Sequence, residues 1–192
     1  MKILELIGQV LRPVHSDESK LTEAEQAVAE QPHGIGVASP EFSHNGPIPA
    51  EYSIDGKFKF PAINWANVPN TCKSLALVIE DPDAPKPAPF VHGIIYNIPP
   101  NLNGLPEDAF RPYGLSPEYV NLGLKMGRNT LGKTAYLPPA PPEGNGLHHY
   151  HFQLIALDAE LTLPDSPALS DLKSALVDHV VGSGELIGTY QK

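Results

Sequence analysis

The run at residues 74–80, SLALVIE, most constrains the fold because nearly every position in it is apolar. A strand with apolar side chains on both faces lies in the middle of a sheet that is covered on both sides. Residues 91–98 and 150–157 show strand patterns of the same kind. We therefore predict a sheet buried on both faces, with these three segments near its centre.

Weaker patterns predict the remaining elements. The 22 prolines and 16 glycines are spread among apolar runs, which favours many turns and many short strands. Further strands are expected at residues 48–54, 58–65 and 185–190, and helices at 3–11, 19–30 and 168–181.

Composition limits the class of protein. A chain of 192 residues, 41% of them hydrophobic, can bury one substantial core. A net charge of −9 argues against nucleic acid as a partner, because neutralising phosphates needs a basic surface. Cys72 is the only cysteine, so no internal disulfide can form. The N-terminal segment does not resemble a secretion signal, and we expect a cytoplasmic location.

Polar side chains come directly after the apolar run at residues 74–80. Asp81 and Asp83 flank Pro82, and His92 opens the next strand. Because the residue before a proline is biased toward extended backbone, we expect both carboxylates to project from the same side of a stiff loop. The sequence thus predicts a small polar site at the carboxyl end of this strand.

A second polar segment begins a later strand, in LHHYHF at residues 147–152. Side chains alternate between the faces of a strand. His148 and Tyr150 therefore share one face, and His149 and His151 share the other. A site on the first face would use one imidazole and one phenol from this strand.

Other motifs are weaker. Residues 127–134, GRNTLGKT, satisfy the phosphate-loop pattern, but the prolines that follow prevent the helix that such a loop requires, so we interpret the match as chance. The histidines at 148–151 could bind a metal together with Asp81 or Asp83, but they alternate between two faces and we predict no metal. Cys72 stands in a turn without a local nucleophile signature.

Four segments together resemble the phosphatidylethanolamine-binding protein family, in its microbial Raf kinase inhibitor-like branch. They are DPDAP at 81–85, HGIIYNIP at 92–99, PPEGNGLHHYHF at 141–152 and GTY at 188–190. The resemblance implies a mainly β fold, a β-sandwich of two antiparallel sheets with peripheral α-helices. It places a PEBP-like domain at residues 32–192, preceded by an N-terminal helical extension at 1–31.

The resemblance also implies a small cavity for an anion such as phosphate or a phospholipid head group. Its ligand-binding residues, carried over by position, are Asp81, Pro82, Asp83, His92, Pro141, His148 and Tyr150. A cis bond between Ala88 and Pro89 is expected as well. The chain departs from the family at Pro138 and Pro139, where a glycine-containing approach is usual, so fewer backbone N–H groups are available to an anion.

These residues favour a binding protein over an enzyme. We expect His92 and His148 to donate to the anion while an aspartate holds their far nitrogens, so affinity should rise as pH falls. The alternative is a small hydrolase that uses the Asp/His cavity for acid–base catalysis. Direct modulation of a protein kinase or protease and a homodimer are further expectations. No cofactor is predicted.

Overall fold

The computed structural model describes residues 18–22, 25–111 and 114–192. The predicted helix at residues 3–11 lies outside these ranges. Nine strands, numbered along the chain, form two sheets within them. In the same ranges, no helix has the length and apolar character needed to cross a bilayer.

The larger sheet contains six strands, and its neighbours are antiparallel except for the short parallel pair at one edge. In spatial order the strands are β2 (Gly46–Pro47), β9 (Val180–Tyr190), β8 (His148–Leu157), β4 (Ser74–Asp81), β5 (Phe90–Ile98) and β7 (Lys125–Met126). The smaller sheet is antiparallel, in the order β1 (Gly36–Ala38), β3 (Ile63–Ala66) and β6 (Gly104–Leu105). The three segments predicted to be central are β4, β5 and β8.

Apolar side chains cover the larger sheet on both faces, as the central run predicts. Leu75, Leu77 and Ile79 belong to one core cluster, which also contains Ile63 and Leu105 of the smaller sheet. The intervening Ala76 and Val78 belong to a second cluster on the other face. Full burial of a leucine stabilises the fold by about 1.5–3 kcal/mol, so β4 is firmly fixed in its register.

The helices are short and peripheral. They are α1 (Gln26–Ala29), α2 (Pro117–Asn121) and α3 (Leu169–Leu176), with 3₁₀ turns at Glu18–Lys20, Ala50–Tyr52 and Glu107–Ala109. Leu172 and Leu176 of α3 lie in the second core cluster, so this helix covers the outer face of the larger sheet. The helix predicted at 19–30 is wrong in extent, because among the described residues of this range only the 3₁₀ turn and α1 are helical.

Some strand predictions are wrong in detail. Residues 48–54 contain the 3₁₀ turn Ala50–Tyr52 in place of a strand. At 58–65 only residues 63–65 join β3, and Phe58 is not in extended backbone because its φ is positive, at 57°. The described residues contain no cis peptide bond, so the expected cis bond at Ala88–Pro89 is also wrong.

The described part of the predicted N-terminal extension packs against the domain. Val28 is fully buried in the second core cluster. The Thr22 N–H donates to Oε2 of Glu80 at 2.8 Å, and Lys173 pairs with Glu25 at 2.8 Å. The described residues at 18–22 and 25–31 therefore form part of the packed structure, while the boundary at residue 31 stays a prediction.

Candidate ligand-binding site

The antiparallel pairing of three strands forms the candidate site. Strand β4 pairs with β5 on one side and β8 on the other, so its carboxyl end meets the amino ends of both. Asp81 ends β4, His92 lies near the start of β5, and His148 and Tyr150 lie at the start of β8. These polar residues are up to 69 positions apart in the sequence (81 to 150), and they meet at one end of the three central strands.

A buried Asp–His pair forms the base of this site. The Nδ1–H of His148 donates to Oδ2 of Asp81 at 2.7 Å, with side-chain exposures of 1% and 4%. The Asp83 N–H donates to the other oxygen, Oδ1, at 2.8 Å. Nδ2 of Asn145 donates to Nε2 of His148 at 2.8 Å. Because an amide nitrogen only donates, this network fits a neutral imidazole that carries its proton on Nδ1.

His92 has a different partner from the one that we expected. Its Nδ1 lies 2.8 Å from the Leu137 carbonyl oxygen, which can only accept, so Nδ1 carries the proton. Burial lowers the pKa of His92, and Asp81 and the Leu137 carbonyl offset part of this shift. The aspartate therefore fixes the tautomer of His148, as expected, but a backbone carbonyl fixes that of His92.

Tyr150 places a buried phenol at the same end of these strands. Its ring lies edge-on to that of His92, with 5.1 Å between centroids. Its hydroxyl is buried and has no hydrogen-bond partner among the described residues. Burial and the nearby Asp81 charge raise the pKa of the phenol, and a contact with the Ala140 backbone offsets part of this shift. Tyr150 is therefore a neutral donor at any physiological pH.

These residues line a cavity of about 260 Å³ whose remaining walls are mostly apolar. Phe90 and Leu137 form part of the wall, and Lys86 is the one lysine or arginine among the described lining residues. Nζ of Lys86 lies 5.9 Å from the centroid of the Phe90 ring. Four prolines also line the cavity and offer no N–H, namely Pro85, Pro138, Pro141 and Pro142.

Five of the seven predicted site residues line this cavity and two do not. The five are Asp81, His92, Pro141, His148 and Tyr150. Pro82 and Asp83 lie outside the lining, and Asp83 accepts from both the backbone N–H and Nδ1 of His149, at 2.8 and 2.7 Å. The expectation that both carboxylates share one side is wrong, because they bind successive histidines of β8 and the faces of a strand alternate.

Sequence reasoning missed two contributors to this network. One is Asn145, which holds the far nitrogen of His148, and the other is the Leu137 carbonyl. Asn145 stands between Gly144 and Gly146, both at positive φ (76° and 89°). The GNG sequence indicates such a turn, but it does not reveal which side chain the asparagine contacts.

The residues of the phosphate-loop pattern and the remaining histidines make other contacts in the structure. Residues 127–134 form a loop in which Oδ1 of Asn129 accepts from the Leu131 and Lys133 N–H groups, and no helix follows it. His149 pairs with Asp83, whereas His151 pairs with Glu185. Over the described ranges, no group of three His, Cys, Asp or Glu side chains could hold a metal ion.

Comparison with known proteins agrees with this fold. The family model for phosphatidylethanolamine-binding protein matches residues 38–191. The chain therefore belongs to the phosphatidylethanolamine-binding protein family. A UPF0098 protein of Methanothermobacter thermautotrophicus is 39% identical over 151 residues, which cover 79% of this chain and 95% of the relative.

Solved structures show the same fold. A phosphatidylethanolamine-binding protein homologue from Chlamydia trachomatis is 32% identical, with a TM-score of 0.73, over 83% of this chain and 99% of that one. YbcL of Escherichia coli, a member of the mammalian family, is 28% identical with the same TM-score and the same coverage. The predicted β-sandwich of this family is confirmed.

Proposed function

We propose that this protein binds a small anionic ligand in the cavity, with the ligand's head group at Asp81, His92, His148 and Tyr150. The unpartnered Tyr150 hydroxyl carries this proposal. A buried polar group that lacks a partner costs about 1–3 kcal/mol. An anionic oxygen that accepts from this hydroxyl would remove that cost, and the hydroxyl belongs to a residue of the cavity lining.

The charges at the site support an anion as well. Asp81 is the one carboxylate among the described lining residues, and both of its oxygens already accept hydrogen bonds from the protein. Lys86 adds a positive charge to the same lining. The apolar walls suit the non-polar part of an ester, so a phosphate with an organic substituent fits better than a bare ion. Membership of a family named for a phospholipid supports phospholipid head groups among the candidates.

Two buried tyrosines allow a matched test. The hydroxyls of Tyr150 and Tyr136 are both buried without a partner in the described part of the chain, but only Tyr150 lines the cavity. Calorimetric titration with O-phosphoethanolamine and inorganic phosphate should show binding to the wild type. Tyr150→Phe should weaken it roughly 10- to 100-fold, the value of one hydrogen bond to a charged group.

Tyr136→Phe should leave the affinity unchanged, since its hydroxyl lies outside the cavity lining. Equal affinities of the Tyr150→Phe variant and the wild type would contradict the role of this hydroxyl. Failure of the wild type to bind either compound at millimolar concentration would contradict the proposed function itself.

Hydrolysis is the weaker alternative. The described lining residues include no serine, threonine or cysteine to act as a nucleophile. Cys72 is buried two residues before the start of β4, with Sγ 3.1 Å from the Ser74 carbonyl oxygen, at the end of the strand away from Asp81. The geometry therefore favours binding over a covalent mechanism.

Other expectations about partners stay predictions. They are the modulation of a protein kinase or protease, the homodimer and the cytoplasmic location. The mass in solution of the full chain, compared with that of a chain lacking residues 1–30, tests the dimer. A decrease in mass that is larger than the mass of the deleted segments would show that these residues hold two copies together.

A further inference from the structure

The hydrogen-bonding roles at the cavity are unusual for an anion site because one of the groups that line it, His92, offers an acceptor to the ligand. His92 carries its proton on Nδ1, which faces the Leu137 carbonyl oxygen. In the neutral ring the other nitrogen, Nε2, is an acceptor. Nε2 makes no hydrogen bond with any described residue. It is also not one of the fully buried side-chain nitrogen and oxygen atoms that lack a hydrogen-bond partner in the described part of the chain. It therefore keeps some exposure, and His92 is a lining residue of the cavity.

The groups that face His92 keep its ring neutral and the site poor in donors. From β4 it faces the carboxylate of Asp81, and from β8 the imidazole of His148 and the phenol of Tyr150. His148 uses Nδ1–H on Asp81, and its Nε2 accepts from Asn145. Burial disfavours a positive charge on His92 more than the Asp81 charge favours it.

The donors available to a ligand are correspondingly few. The Tyr150 hydroxyl is one, and the ammonium of Lys86 is a second. The proline-rich wall offers no N–H at its four proline positions. An oxyanion without a proton would place a lone pair against the lone pair of His92 Nε2, and only protonation of a buried ring would relieve this.

We propose that the cavity selects oxyanions that carry a proton, such as the monoanion of a phosphomonoester, over oxyanions of equal charge that carry none. The ligand's P–OH donates to Nε2 of His92, and a second phosphate oxygen accepts from the Tyr150 hydroxyl. This inference rests on the proposed anion-binding function and names the ligand class of that site. Phosphodiesters, including intact phospholipid head groups without a further donor, are the disfavoured class.

Methyl phosphate and dimethyl phosphate test this directly. Near pH 5.5 both are monoanions, because the second pKa of a phosphomonoester is about 6, and they differ by one ionisable proton and one methyl group. Titration by calorimetry or NMR should show methyl phosphate binding roughly tenfold tighter or more, the value of one hydrogen bond with a charged partner. Above about pH 6 the affinity for methyl phosphate should fall as it loses its proton.

Equal affinities for the two esters would overturn the inference and leave the proposed function standing. Binding of neither ester would overturn both. The His92→Gln variant should lose the discrimination, because an amide can turn its NH₂ toward the ligand and donate. The His149→Gln variant is the control, since His149 lies outside the cavity lining, and it should keep the full preference.

A further measurement uses the wild type alone, so its outcome does not depend on whether the His92→Gln variant folds. Long-range ¹H–¹⁵N correlation spectra of the free protein at pH 7 report the tautomer of each histidine. His92 should be a neutral ring with its proton on Nδ1. An imidazolium, or a proton on Nε2, would overturn the inference irrespective of any binding result.

Discussion

Two aspartates in one loop offer a stability comparison in which burial is the main variable. Asp81 and Asp83 each accept from the Nδ1 of a histidine of β8 at 2.7 Å, and each also accepts one backbone N–H at 2.8 Å. The Asp81–His148 side chains are 4% and 1% exposed, whereas those of Asp83–His149 are 28% and 40% exposed. Distance and partner type therefore match, and solvent access does not.

Asp81→Ala should destabilise the fold more than Asp83→Ala. Removing Asp81 leaves the Nδ1–H of His148 buried without an acceptor, and an unpaired buried donor costs about 1–3 kcal/mol. In the exposed pair, water replaces the carboxylate, so the loss should be about 1 kcal/mol or less. Both variants should stay folded if the domain has the usual stability of about 5–15 kcal/mol.

Urea unfolding followed by fluorescence measures this difference. Trp65 is the only tryptophan, it is 4% exposed, and it lies in β3 of the smaller sheet, whereas Asp81 ends β4 of the larger sheet. The free energies of unfolding come from transitions with equal slopes. A loss for Asp81→Ala that does not exceed the loss for Asp83→Ala would refute the reasoning that burial decides the value of these pairs.

Two further predictions concern the opposite side of the sheet. Burial lowers the pKa of His151, but its hydrogen bond to Glu185 and the charges of Glu185, Glu18 and Glu80 outweigh this and raise it overall. Since the folded pKa is then above the unfolded value of about 6.5, the stabilisation by His151 is complete below that value and is lost as pH rises through the folded pKa. The stability gap between the wild type and His151→Gln should thus be larger at pH 6 than at pH 8 in urea titrations, and a gap that grows with pH would contradict this sign. Val28→Ala should cost about 1–2 kcal/mol in the same assay because Val28 is fully buried, and no measurable loss would show that Val28 does not pack on the domain.

The sequence predicts the central strands well because their signal is strong and local. Residues 74–80 have apolar side chains on both faces, and 150–157 follow a long strand pattern, so both segments are strands in the structure. The two-residue strands β2, β6 and β7 are too short for alternation to show in the sequence. Their position depends on partners that are distant along the chain.

The candidate site was predictable to the extent that it depends on strands. His92, His148 and Tyr150 follow from the positions of β5 and β8 and from alternation. The direction of Asp83 does not, because it depends on a local turn in which its own N–H binds Oδ1 of Asp81. Such Asx turns reverse the chain within two residues, and an extended-backbone preference before proline does not predict them.

The apolar core of the sheet also determines which polar side chains reach the cavity. Phe152 and Leu154 are buried in the core cluster between the sheets, and alternation places Tyr150 and His148 on that same face of β8. A register shift of one residue would move this whole set to the other face and present His149 and His151 to the cavity instead. The burial of Phe152 and Leu154 makes that shift costly, at about 1.5–3 kcal/mol for each side chain that would leave the core. The composition of the candidate site is therefore stabilised by side chains that do not line the cavity.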